Sequence, residues 1–277
     1  GEAGFGKTSL TLEFARRAQQ QQRELLVAIG SCDAQTGISD PYLPFRELLG
    51  MLTGEVDERV ANGLTTEENA QRLRDFLRVS RQVIAEIAPD LVDLLIPGAG
   101  LVTKAGAMVA AGHGAFRRRP GSSSLRAADP AAATASPMAE QGRIFEQVTS
   151  ALLEMARKRP LVLILDDVHW IDESSASLLF HLARRVEKSH ILVICTYRSE
   201  ELAYARNESR HPLPKIVSEI KRQYGDVSVA LDDEMPSDTR LFVDALVDSE
   251  PNRLDAEFRH QLHDRTRGHP LFTTELL

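Results

Sequence analysis

Gly1-Glu2-Ala3-Gly4-Phe5-Gly6-Lys7-Thr8, the first eight residues of the chain, fit G-x-x-x-x-G-K-[ST] at every fixed position. Glycines at 1, 4 and 6 allow the backbone angles that turn successive N–H groups inward, toward a polyphosphate. Lys7 to Gln22 reads as a helix that starts where the loop ends, so its positive N-terminal end faces the same anion. Leu10, Phe14 and Ala18 recur at fours and form its expected inner face, with Arg16 and Arg17 outside. Lys7 can reach the β- and γ-phosphates, and the Thr8 hydroxyl can sit on Mg²⁺. The stretch from Gly1 to Ser9 is thus the expected cradle of a nucleotide. The pattern arises by chance in roughly one random chain of this length in a hundred.

Working outward, a second stretch supports the first. Leu161-Val162-Leu163-Ile164-Leu165 is continuously apolar and ends in Asp166-Asp167. A parallel strand covered on both faces is expected to be apolar throughout, and ligands in such sheets sit at the carboxyl ends of strands. Asp166 is placed to hold Mg²⁺ through its water shell, and Asp167 to orient or activate an attacking water. His169 and Trp170 come next, and the plainer reading is a hydrogen-bonded histidine and a packed aromatic. Asp172 or Ser174 is expected to cap the following helix.

Leu25 to Ile29 and Ile191 to Cys195 read as further strands, with Val227 to Leu231 a candidate fourth. Arg198 follows the second of these, where a cation near a γ-phosphate would distinguish ATP from ADP. An ion pair with Glu200 or Glu201 is the alternative. Helices are expected at Pro44 to Leu52, Asn69 to Ala88, Glu140 to Arg159 and Asp172 to Val186. Residues 97–137 shift to Gly, Ala, Ser and Pro and read as a flexible insertion holding one basic run, Arg117 to Arg119. The segment from Pro236 on carries helical spacing (Leu241, Phe242, Ala245, Leu246; then Phe258, Leu262) and is expected to begin a separate helical unit.

The 277 residues are 43% hydrophobic and 26% charged, enough for a sizeable core, with net charge −7. That balance argues against a surface that tracks nucleic-acid phosphates. Two cysteines, Cys32 and Cys195, sit in or beside apolar runs and read as free structural thiols, which fits a reducing cytoplasm. Leu91 to Gly112 is too interrupted by charge, proline and glycine to span a membrane. The chain opens at Gly1, inside a motif, and is read as a piece of a longer protein.

Four stretches resemble the STAND signal-transduction ATPases, AAA+-related P-loop proteins found in bacteria beside regulatory and cyclase domains. They are GEAGFGKTSL at 1–10, LVLILDDVHWID at 161–172, ILVICTYRSEE at 191–201 and GHPLFTTELL at 268–277. The first is common to P-loop proteins; paired aspartates followed by His-Trp-x-Asp are more telling. The resemblance implies an α/β fold: a parallel P-loop NTPase sheet of order 5-1-4-3-2, flanked by helices over residues 1–231. A helical lid is implied to begin in 232–277. It implies ATP and Mg²⁺ as ligands, with Thr8 and Asp166 on the metal. Asp167 is then the water activator, Arg198 the phosphate sensor, and Pro270 packs near the nucleotide from the lid side. Effector and sensor domains in the same full-length chain, and nucleotide-dependent self-association, are also implied.

The family carries a strand before its phosphate loop and an arginine-bearing motif before that, and neither stands in this sequence. That strand should lie centrally in the sheet, so the chain alone is expected to be marginal or aggregation-prone. The expected function is a slow ATP-driven switch. Its rivals are a module holding nucleotide for structure only, a phosphotransferase using Arg117 to Arg119, and a DNA-handling AAA+ protein.

Overall fold

Three continuous apolar runs make the sheet on which the rest is built. They are β1 (Leu26–Ser31), β2 (Leu161–Asp166) and β3 (Ile191–Cys195), parallel, in the order β1-β2-β3. Leu26 stands opposite Leu161, and Leu161 opposite Ile191. Every residue of β2 before Asp166 is buried, as a central parallel strand covered on both faces requires. In this computed structural model residues 3–32, 41–89, 91, 137–201, 212–231 and 236–277 are described. The insertion through residue 136, with Arg117 to Arg119, lies outside them, as do Gly1 and Glu2.

Around the sheet run α1 (Lys7–Gln21), α2 (Leu43–Leu52), α3 (Asp57–Ala61), α4 (Glu67–Ile87), α5 (Pro137–Lys158), α6 (Glu173–Ala183) and α7 (Leu213–Tyr224). The α2 and α4 helices pack on β1, α1 packs on β2, and α5 bridges α4 and α6. Phe45, Leu48 and Met51 of α2, Leu73 and Phe76 of α4, and Leu152 and Met155 of α5 are fully enclosed. The α4 helix starts at a cap: the Thr66 side chain accepts from the Asn69 N–H, with Glu67 and Glu68 at the positive helix end. Asp172 caps α6 in the same way, accepting from Ser174 and Ser175.

The outer edge of β1 is finished by side chains rather than by another strand. Asn69 accepts from the Val27 N–H at 3.2 Å and donates to its C=O at 2.9 Å. Glu47 accepts from the Ser31 N–H at 2.7 Å, and the Met51 sulfur meets the Ile29 N–H. Gln19 of α1 donates both to Asn69 and to the Leu25 carbonyl. On the far side of β3 no strand pairs among the described residues, and Leu192 is 46% exposed.

Several expectations need correction. The buried stripe of α1 is Thr11, Ala15 and Gln19, whereas Leu10 and Phe14 are exposed. The polar Gln19 faces inward because it is needed at the edge of β1. Residues 227–231 form no strand, and Val229 is 79% exposed. Trp170 is partly exposed rather than packed.

A second, smaller apolar cluster lies beyond. It is built from α8 (Pro236–Val247), α9 (Ala256–Thr266) and α10 (Pro270–Leu276). Its buried members are Val243, Val247 and Leu262, flanked by Phe242 and Phe258, while Leu241 points outward. The inner face of α8 is therefore one step from the one its spacing suggested.

Candidate functional site

The phosphate loop enters α1 through two left-handed glycines, Gly4 at φ 79° and Gly6 at φ 73°. Such angles are open to glycine and strained for other residues. Gly4 is also hemmed in: a Cβ there would lie 2.7 Å from the His269 ring and 2.8 Å from Leu271. Lys7 occupies the first position of α1, its side chain half-buried. Ser9 lies exposed in the same first turn.

Thr8 and Asp166 are 158 residues apart in sequence, yet the Thr8 hydroxyl donates to Asp166 Oδ2 at 2.8 Å. The fold achieves this by placing α1 against β2, with Asp166 as the last residue of that strand. Asp166 Oδ1 takes a hydrogen bond from Thr196, just past the end of β3. That same threonine oxygen accepts the Asp167 N–H at 2.9 Å, and its backbone carbonyl accepts the Val168 N–H at 2.8 Å. Thr196 is buried and was missed in the sequence. Its position after an apolar run beside the carboxylate pair was the only available signal.

Asp167 itself sits at φ 55°, a left-handed conformation uncommon outside glycine. Its pKa is raised above the ordinary aspartate value, by burial first and by the adjacent Asp166 charge second; Arg198 and Lys7 pull the other way. Arg198 therefore acts on the same carboxylate as the phosphate-loop lysine. His169 is enclosed, and burial together with Arg198 lowers its pKa to about 4. Both cysteines are free. Burial pushes Cys195 up to about 12 and Cys32 higher still, so neither is a nucleophile at neutral pH.

The residues on either side of Pro270 touch the phosphate loop. The His269 ring nitrogen Nε2 lies 3.2 Å from the Ala3 carbonyl, and the Leu271 N–H donates to the Gly4 carbonyl at 3.2 Å. The His269 ring meets Phe5 edge-on at 4.6 Å and Phe272 at 4.5 Å. This approach depends on Gly268, at φ 71°, where a Cβ would fall 2.5 Å from Thr239.

Among the described residues no group of three His, Cys, Asp or Glu gathers into a ready metal cage. The donors present are a threonine hydroxyl and a carboxylate in contact with each other. That hard, sparse oxygen set suits Mg²⁺, which keeps waters and takes remaining ligands from substrate phosphates. Two left-handed loop glycines, a lysine, these two oxygens and a second carboxylate are the components that a P-loop nucleotide site calls for. The chain belongs to the AAA ATPase domain family, which it matches over residues 1–194. Comparison with the curated proteins gave no match, and comparison with the solved structures gave none. Among the described residues no helix is long and apolar enough to cross a membrane.

Proposed function

We propose that this chain binds ATP with Mg²⁺, hydrolyses it slowly, and serves as the nucleotide switch of a larger STAND-type signalling or transcription-regulatory protein. The observation that carries the reading is the 2.8 Å bond between Thr8 and Asp166, a phosphate-loop hydroxyl and a distant strand-end carboxylate on one spot. Loop amides from Gly1 to Ser9 and the Lys7 ammonium hold the phosphates. Thr8 and Asp166 hold the metal, which when bound neutralises charge on the β- and γ-phosphates. Asp167 orients the attacking water and accepts its proton, a role that suits a carboxylate whose pKa is raised by burial. Arg198 contacts the γ-phosphate and so reads whether ATP or ADP is present.

The α8–α10 unit acts as the lid in this reading, with Pro270 against the nucleotide between two residues that already touch the loop. A ligand shifts two arrangements only through unequal affinity for them. Moving a balance from 1:99 to 99:1 takes about 5.5 kcal/mol, which a γ-phosphate held by Lys7, Arg198 and Mg²⁺ can supply. The open side of β3 and the exposed segment 227–231 are where two further strands of a 5-1-4-3-2 sheet would pair. Sensor and effector domains of the full-length protein, and self-association with ATP bound, complete the proposed output.

Asp167→Ala tests the reading. It should bind ATP within about twofold of the parent and lose about 100-fold or more in hydrolysis, the scale of a missing general base. Equal turnover by parent and variant would leave only a nucleotide-holding module.

A further inference from the structure

Among the described residues the buried His169 ring has no hydrogen-bond partner. Its side chain is 1% exposed, and neither Nδ1 nor Nε2 makes a hydrogen bond. A neutral imidazole carries one donor and one acceptor, and buried polar atoms in folded proteins nearly always find partners. An exception beside reacting groups points to a partner engaged in another state of the site. One acceptor stands almost within reach: Asp167 Oδ1 is 3.6 Å from His169 Nδ1. That is about 0.8 Å longer than a good charge-assisted hydrogen bond.

The geometry permits closure by side-chain motion alone. The Asp167 backbone is held, its N–H bonded to Thr196 and its C=O accepting from the Trp170 N–H at 3.0 Å. The His169 ring is held too, in the turn Val168–Trp170 against the Trp170 ring at 5.1 Å. What is left to move is the Asp167 carboxylate, which is partly exposed and has no side-chain hydrogen bond among the described residues. Hydrogen bonds that serve catalysis are often long in the empty enzyme and tighten when substrate is bound. With its pKa lowered to about 4, the ring is neutral at physiological pH and donates one proton without adding charge.

We propose that His169 is a positioning residue for hydrolysis: carrying its proton on Nδ1, it bonds Asp167 Oδ1 in the nucleotide-bound state and so turns Oδ2 toward the attacking water. His169 neither gives nor takes a proton in this scheme; the water's proton goes to Asp167. The inference rests on the assignment of Asp167 as water activator.

Asparagine and glutamine separate the two ring nitrogens, because an Asn amide lies near Nδ1 and a Gln amide near Nε2. His169→Asn should keep kcat within about threefold, whereas His169→Gln and His169→Phe should lose about 10- to 100-fold in kcat, the cost of a misplaced reacting group. KM for ATP should stay within about twofold of the parent's throughout. Equal kcat in all three variants, while Asp167→Ala is inactive, would overturn the inference and leave the ATPase reading standing. No turnover by the parent chain, or full turnover by Asp167→Ala, would instead mark failure of that reading.

A readout independent of turnover is ¹⁵N-histidine NMR with Mg²⁺ and a non-hydrolysable ATP analogue. It should show a His169 Nδ1–H signal that is absent in His169→Asn and shifted in Asp167→Ala. An Nε2–H tautomer, or an Nδ1–H signal indifferent to Asp167→Ala, would overturn the inference whatever the turnover.

Discussion

The two sides of the sheet are finished in opposite ways. At the outer edge of β1 the backbone groups of Val27, Ile29 and Ser31 are met by Asn69, Met51 and Glu47. At the outer side of β3 no strand pairs among the described residues, and Leu192 is exposed. An edge whose hydrogen bonds are already spent on side chains cannot recruit a further strand, whereas an open one is a template for pairing. The β1 side closes the fold, and the β3 side, next to Thr196 and Arg198, leaves it open beside the proposed nucleotide site.

The sharpest way to break this contrast is to uncap the closed edge. Asn69 is 2% exposed and holds both polar groups of Val27 besides Gln19 and Thr65. Asn69→Leu leaves several buried groups unpartnered at about 1–3 kcal/mol each. It should therefore cost about 4 kcal/mol in chemical denaturation; a loss under about 1 kcal/mol would mean the edge is not closed by this residue. Next come matched truncations in the two strands. Leu163→Ala in buried β2 should cost about 3 kcal/mol, and Leu192→Ala under about 1 kcal/mol. Equal losses would show that β3 is covered.

Acid should act at His169, in the turn that follows β2. Its pKa in the folded chain, about 4, lies below the ordinary 6.5, so the unfolded state binds the extra proton between those values. The stabilising effect of the neutral ring is complete above the unfolded value and is lost as pH falls toward 4. From pH 7 to pH 5 the parent should lose about 2 kcal/mol more than His169→Asn; parallel curves would show that the ring is not held neutral. An effect smaller than those at Asn69 and Leu163 is expected at Thr196. Thr196→Val removes one hydroxyl shared by Asp166 and the Asp167 N–H. It should cost about 1–2 kcal/mol, with Thr196→Ser close to the parent, and a valine variant as stable as the parent would contradict the bridge.

Much of this molecule is legible in its sequence. Apolar runs without alternation gave β1, β2 and β3, because parallel strands need apolar side chains on both faces. The spacing of Leu73, Phe76, Val83 and Ile84 gave α4, though its start was set at Asn69, two residues late and past the Thr66 cap, and Asp172, one of two cap candidates, gave the start of α6. The phosphate loop and the carboxylate pair were readable for the same reason: their chemistry is packed into contiguous residues.

What escaped notice were polar groups whose partners lie far along the chain. Gln19 and Asn69 are 50 residues apart, and Thr196 is 30 residues from Asp166. Each is a polar residue that local pattern assigns to a surface and tertiary hydrogen bonding draws inside. The inner face of α1 was misread on that account, since Gln19 outcompetes Leu10 and Phe14 for the sheet.

The central claim is that loop amides, Lys7, Thr8 and Asp166 form one magnesium-nucleotide site. Isothermal titration of ATP into the parent chain and Lys7→Ala, each with Mg²⁺ and with chelator, tests it most directly. The parent should bind, more tightly with Mg²⁺, and Lys7→Ala should not bind measurably. Equal affinity in parent and variant, or binding indifferent to Mg²⁺, would contradict it.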